Sequence, residues 1–348
     1  MLTRAAMPNW YWEGDAVYSE TSTGDFGRGR IPSFLLTTQN NVLSGRKINY
    51  DRQTLGSFKY KTPNEYETGY LMVNYLNESF GEDTYNNIVA NAHKNSYFLM
   101  PFYRSLKKET KKNYKEIYKE SLTKLPSKKT SFSTNYLNVR NSPSYYSLLY
   151  PTEIPDERVV VIRQGYGSYQ DFRIIEKTGE VSLLFTPGII NDFGRIPSAK
   201  NTIAWLEYEK DPRWDKRVYS RVKVLDINTK KLKKINLRGF FSSIDLSPDG
   251  NFLLVSANNL NGSQSFEVYE LKTQKKTYSW NWNEGVVSSL KYSNQNTLIG
   301  LKTKNGKKEV FLFNLNLKKD TTIYATHENI GWPNIINNSL FFSSAREI

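Results

Sequence analysis

The 348-residue chain contains no cysteine. That single absence removes disulfide scaffolds, thiolate catalysis, cysteine-based zinc sites and iron–sulfur chemistry. Histidine is almost as scarce, since His93 (in NAHKN) and His327 (in ATHEN) are the only two. An imidazole triad or catalytic metal site built by this chain alone is therefore short of ligands. Long apolar runs are missing too: mean hydropathy is −0.61 and no stretch of 18 apolar residues occurs, so no segment reads as a membrane-spanning helix. Packing material is abundant by contrast, with 24 Tyr, 18 Phe and 7 Trp, which argues against disorder. The length exceeds one ordinary domain and predicts two folding units, each with its own core.

Charge is unbalanced. The net +14 first suggests a phosphate-rich partner, but its distribution weakens that reading. Arg104–Lys129 holds ten basic and three acidic residues, Arg213–Arg238 ten and two, and the rest of the chain is close to neutral. In the first stretch Phe102, Leu106, Tyr114, Ile117 and Leu125 recur at helical spacing with lysines between them, the pattern of an amphipathic helix with a solvated basic face. An acidic partner or an anionic membrane surface is the alternative use of that face, and nucleic acid is not expected as a partner.

Periodicity divides the chain near Pro126. Before it, Glu65–Phe80 and Asp83–Asn95 read as helices, with Tyr66, Tyr70, Val73 and Leu76 or Asn77 on one stripe of the first, and a third is expected from about Phe98 to Lys124. After Pro143 the period falls to two and short β-rich runs alternate with Pro, Gly and Asn. The expected boundaries are a helical domain over 1–126, a linker over 127–144 and a strand-rich domain over 145–348.

The second half also repeats. Strand cores RVVVIR, TIAWLE, FLLVS, TLIGL and SLFFS place Val160, Ile203, Leu253, Leu298 and Leu340 at intervals of 43, 50, 45 and 42 residues. Between them recur hairpins: Phe172–Phe185, Val222–Ile235, Phe266–Tyr278 and Val310–Tyr324. Periods of about 40 to 50 residues with several short strands each mean propeller blades, against the alternative of a β-sandwich with coincidental spacing. Leu246–Gly250 (LSPDG) supplies a tight Pro and Asp-Gly turn before the third strand core. With its SPDG turn and the hairpins that follow, this half resembles TolB-type and WD-like β-propeller repeats, implying four blades and part of a fifth, an incomplete ring whose face recognises a protein or peptide.

Met7–Phe34 (MPNWYWEGDAVYSETSTGDFGRGRIPSF) is the stretch most suggestive of chemistry. Pro8 suits a helix start, and Glu13, Ala16 or Val17, and Glu20 fall on one face. A carboxylate set between Trp10, Trp12 and Ala16 calls for a cation, whether a metal or a local salt-bridge partner. The pattern W-x-x-E-G-x-A-x-Y-x-E resembles the helix supplying the third zinc ligand in gluzincin-type metallopeptidases, and GRGRIP (Gly27–Pro32) and the Tyr66–Leu76 helix extend the likeness.

The resemblance implies a helical C-terminal half of a gluzincin-like peptidase domain fused to a propeller, in a multidomain α + all-β protein of the bacterial periplasm, outer membrane or exterior. It places the third zinc-ligand role on Glu13, with Gly14 and Ala16 as small neighbours for helix packing. Glu20 is the alternative ligand, Arg28 and Arg30 become candidates for a substrate cleft, and Tyr66 or Tyr70 for an oxyanion donor, against plain core packing. The HExxH helix that would bring two His ligands and a general base is missing. The expectation is thus a fragment of a zinc-dependent parent that holds no zinc and hydrolyses nothing alone, with the upstream peptidase half as a partner. A non-catalytic propeller scaffold of the cell envelope is the competing expectation. Met1–Met7 carries no signal sequence, so an export signal would lie upstream.

Overall fold

The computed structural model describes residues 7–23, 27–31, 34–46, 48–125, 144–191, 194–282, 285–328 and 330–344. It divides into a helical unit and a strand unit. The expected linker, apart from Ser144, lies outside the described residues.

Among those residues the helical unit has seven α-helices: α1 Asn9–Thr23, α2 Leu36–Leu43, α3 Tyr50–Leu55, α4 Glu65–Phe80, α5 Glu82–Lys94, α6 Pro101–Thr110 and α7 Tyr114–Ser121. Their boundaries have local causes. The Asn64 side chain caps α4 by accepting from the Glu67 amide at 2.9 Å, and Gly81, at φ 82°, ends it. The single helix expected over 98–124 is instead α6 and α7. Lys111 turns left-handed at φ 62°, and Asn113 opens α7 with a capping box: its Oδ1 accepts from the Glu116 amide at 3.1 Å, and Glu116 Oε2 from the Asn113 amide at 2.7 Å. The apolar stripe still faces inward, since Phe102, Leu106 and Ile117 are fully buried with Met72, Leu76 and Ile88.

Helices α1 and α4 cross at glycine. A Cβ on Gly14 would lie 2.1 Å from the Gly69 carbonyl carbon, and one on Gly69 would lie 1.9 Å from the Trp10 carbonyl oxygen. These backbones touch at a distance only glycine permits. Ala16, expected to share this role with Gly14, is exposed; the second small residue at the crossing is Gly69.

The strand unit is a β-propeller. Four antiparallel meanders, β1–β4 (Tyr146–Ile154, Arg158–Gly165, Asp171–Ile175, Val181–Phe185), β5–β8 (Ser198–Ala199, Thr202–Lys210, Val218–Asp226, Leu232–Gly239), β9–β12 (Phe241–Leu246, Phe252–Asn258, Gln264–Glu270, Lys276–Trp282) and β13–β16 (Val286–Asn294, Thr297–Lys304, Lys307–Asn314, Lys319–Thr326), are followed by the pair β17–β18 (Ile330–Ile336, Ser339–Ser344). The innermost strands β1, β5, β9, β13 and β17 adjoin in that order. The register residues chosen from sequence sit in the second strand of each sheet, and the expected hairpins are the third and fourth strands. The innermost strands escaped the sequence pattern because they are short or weakly alternating; β5 is two residues long.

Each blade packs on both faces, which is why its second strand is continuously apolar. In β6, Ile203 and Trp205 join the layer against the first blade, while Ala204 and Leu206 join the layer against the third. Phe266 and Phe313 fill the next layer, and Ile299, Val310 and Ile330 the last. Polar groups tie the blades at the hub. Arg195, just before β5, donates from Nη1 to Asp245 Oδ1 on β9 at 2.9 Å, and from Nη2 to the carbonyls of Ile244 (2.8 Å) and Leu290 (3.2 Å). Asp245 Oδ2 accepts from the Tyr292 amide on β13 at 2.7 Å. The adjacent Gly194, at φ 85°, leaves room for Trp332 of β17, whose ring a Cβ would approach to 2.3 Å.

Two stability predictions follow from these contacts. Gly69→Ala pushes against backbone that no side-chain rotation relieves, so urea unfolding of the helical unit should show a loss of about 3 kcal/mol or more. Arg195→Met removes the ion-pair partner of Asp245, whose side chain is 10% exposed, leaving Lys291 as the nearby cation, and should destabilise the propeller by about 3 kcal/mol in urea unfolding.

Candidate functional site

Four of the residues singled out in the sequence meet on one side of α1. Glu13 is half-buried, and its carboxylate raises the Tyr66 hydroxyl pKa, first by a side-chain hydrogen bond and then by charge. The Tyr66 ring lies under the Arg28 guanidinium at 5.0 Å. Arg28 in turn grips Glu20, seven residues along the helix from Glu13: Nε reaches Oε1 at 2.7 Å, Nη2 reaches Oε2 at 3.3 Å, and the Arg28 amide donates to Oε1 at 2.9 Å. These bonds from Arg28 hold the Glu20 carboxyl below its ordinary range.

This arrangement bears on zinc. Glu20 is occupied by Arg28, and Glu13 faces a phenol with a guanidinium nearby. His93 is exposed on α5, and His327 is exposed after β16 in the other unit. Among the described residues no three His, Asp or Glu side chains form a group able to hold a metal ion. The described residues taken alone do not offer a zinc ligand set, and no catalytic step is assigned to the metal.

Arg30 and Tyr70 sit elsewhere in the helical unit. Arg30 Nη2 donates to the Thr21 carbonyl at 3.1 Å, and the Tyr70 ring crowds Gly29, where a Cβ would come within 2.4 Å of it. Both line a cleft of about 570 Å³ with a floor of Leu35, Leu71 and Leu125 and a rim that includes Gln39, Asn74, Glu78 and Lys124. Tyr70 also packs edge-on against Phe34, and burial raises its pKa. Tyr66 and Tyr70 thus have different surroundings: the first belongs to the charged network, the second to the cleft.

The propeller presents two chemically distinct ends. In a ring of four-stranded meanders, the turns between second and third strands lie at the same end as the connections between blades, and the remaining turns lie at the opposite end. At the first end, turns and connections expose Tyr166 (42%), Tyr169 (88%), Ile189 (74%), Trp214 (64%) and Leu260 (80%). At the other end the corresponding turns carry Asp156, Glu157, Lys177, Lys230, Asp249 and Lys272, with Leu317 the large apolar residue exposed there. Trp214 is displayed on a fixed scaffold. The Asp211 amide donates to the Arg217 carbonyl at 2.8 Å, the Arg217 amide to the Trp214 carbonyl at 2.8 Å, and Asp211 Oδ1 accepts from the Arg213 amide at 2.9 Å. Asp211, Arg213 and Trp214 share one turn, whereas Tyr169, Ile189 and Leu260 come from separate segments, and only the blade topology brings them to the same end.

No protein-family model matches the sequence, and no curated protein matches it. Among solved structures the chain is similar to TolB from Acinetobacter baumannii (TM-score 0.43, 12% identity, 57% of this chain and 52% of that one). It is also similar to the β-propeller domain of the Trilobed protease from Pyrococcus furiosus (0.40, 11%, 59% and 80%) and to a putative TolB from Agrobacterium tumefaciens (0.39, 10%, 49% and 62%). The chain thus spans about half of the first and less than two thirds of the last. The propeller assignment stands on the sheet order and the inter-blade layers.

One buried ionisable group was not anticipated. Glu67 on α4 is 7% exposed, and its Oε2 accepts from Thr38 Oγ1 of α2 at 3.2 Å. Burial raises its pKa from 4.5 to about 7, with the Thr38 hydrogen bond and the Lys61 charge offsetting part of the rise. The folded state therefore holds a proton that the unfolded state releases, and stability falls as pH rises from about 4.5 through 7. In wild type this loss should be on the order of 3 kcal/mol. Glu67→Gln should abolish most of it in denaturant melts recorded across that window, and an unchanged pH slope would contradict the assignment.

Proposed function

We propose that this chain is a recognition protein whose propeller binds a protein or peptide at the end bearing Tyr166, Tyr169, Ile189, Trp214 and Leu260. One observation carries the reading: five exposed aromatic and aliphatic side chains of the turns and connections collect at that end, while the opposite turns are polar and charged apart from Leu317. Exposed apolar side chains grouped on one surface mark association sites, and Trp and Tyr are the residue types on which binding energy concentrates.

The helical unit is read as part of an exported, gluzincin-like parent, in which Glu13 would serve as the carboxylate ligand. Its half-buried position beside the hydroxyl of Tyr66 supports that role. On this reading the two imidazole ligands belong to polypeptide not contained in residues 1–348, and so does any hydrolytic activity. The propeller would then present or restrict substrate for that parent, in the periplasm, at the outer membrane or outside the cell.

The test is a random-peptide display library panned on the full chain, with selected peptides measured by fluorescence anisotropy. Tyr169→Ser combined with Trp214→Ser should weaken them about tenfold or more, the scale of hot-spot truncation. Leu317→Ser, at the opposite end, should leave affinity unchanged. Selected peptides that bind the double variant as well as wild type would place recognition elsewhere.

A further inference from the structure

The turn of the second blade that carries Trp214 has more positive charge than it neutralises. Arg213, Lys216 and Arg217 lie within it, with Lys210 at the end of β6 and Arg238 on β8 beside it, against two carboxylates, Asp211 and Asp215. Both carboxylates are engaged: Arg238 Nη2 lies 3.4 Å from Asp211 Oδ2, and Lys210 Nζ lies 3.0 Å from Asp215 Oδ1. Three cations remain without an ion pair among the described residues: Arg213, Lys216 and Arg217. All three are exposed, as is Trp214 between them. The base of the turn is stiffened by Tyr219, over which Arg238 stacks at 3.9 Å and Arg217 at 5.1 Å.

We infer that this turn binds an acidic peptide segment, with Trp214 packing on an apolar side chain of the ligand and Arg213, Lys216 and Arg217 meeting its carboxylates. The inference rests on the recognition role proposed above and names the chemistry of the partner. Three features favour a peptide over a nucleic acid. Arg213, Lys216 and Arg217 lie within one turn, a cluster too short to track a phosphate backbone along a groove. Exposed side chains on neighbouring turns at this end, Tyr169, Ile189 and Leu260, carry no charge and suit peptide side chains. The backbone bonds from Asp211 to Arg217 hold the turn in shape before the ligand arrives, so little ordering cost is added on binding. Because the cations are solvent-exposed, their contribution should fall as salt rises.

The experiment uses the full chain and three labelled probes: a peptide of repeated Glu-Glu-Leu, its Lys-Lys-Leu counterpart, and oligothymidylate. Anisotropy titrations at low and high salt are expected to show the acidic peptide bound, with affinity dropping several-fold in high salt. Trp214→Ser should cost about tenfold. Arg213→Glu with Lys216→Glu should reverse the preference, so that the Lys-Lys-Leu peptide binds and the Glu-Glu-Leu peptide does not. Circular dichroism of these surface variants should match wild type.

Equal binding of the acidic and basic peptides would overturn the charge assignment while leaving recognition at this end intact, provided Trp214→Ser still weakens both. Tighter binding of oligothymidylate than of the acidic peptide would overturn the inference. So would failure of the acidic peptide to bind at concentrations where library-selected peptides do. A library that yields no binder sensitive to Tyr169 and Trp214 would instead remove the recognition reading itself.

Discussion

The guanidinium of Arg195 is the contact on which the propeller's geometry turns. Hydrophobic layers between blades are strong but slide easily, because apolar contact has no direction. Arg195 supplies direction: one side chain from the approach to β5 reaches a carboxylate and a carbonyl on the third blade and a carbonyl on the fourth, and Asp245 passes the link on to the Tyr292 amide. Its neighbour Gly194 extends the same hub toward β17 by leaving space for Trp332. Two consecutive residues thereby relate the second sheet to three others, which fixes how the exposed turns are disposed around the ring.

The helical unit relies on a different constraint, steric exclusion at the Gly14–Gly69 crossing. That close approach orients α1 against α4, and the charged network follows from it. Glu13 and Glu20 leave the same side of α1, Tyr66 comes from the first turn of α4, and Arg28 from the 3₁₀ turn Arg28–Arg30 that succeeds α1. What sequence resemblance suggests about zinc and what the local bonds do are compatible only if Glu13 acts together with ligands from other polypeptide. Among the described residues its company includes the Tyr66 phenol and the Arg28 guanidinium.

Much of the architecture was legible in the sequence because it depends on local periodicity. Helix α4 follows from its stripe of buried residues and its terminal Gly81, and the blades follow from second strands that are apolar on both faces. The misreading of α6 and α7 as one helix has an equally local cause. An apolar stripe continues across the Thr110–Asn113 break, and the Asn113–Glu116 capping pair was outweighed by it. The innermost strands were invisible because their neighbours in the ring, not their own alternation, hold them in place. The candidate sites divide in the same way. Glu13 and Glu20 share a helix face that spacing alone reveals. The burial of Glu67 and the gathering of Tyr169, Ile189, Trp214 and Leu260 at one end depend on contacts and topology beyond any window of sequence.

The division of the propeller into two ends also matters for how the molecule can be handled and how it can diverge. Turns such as Asn337–Asn338 emerge on the side away from Trp214, and their residues join no inter-blade hydrophobic layer. A fluorophore, an affinity handle or an inserted domain placed there leaves the opposite surface free in solution. Natural drift in those polar turns is likewise decoupled from whatever the aromatic end has been selected to hold.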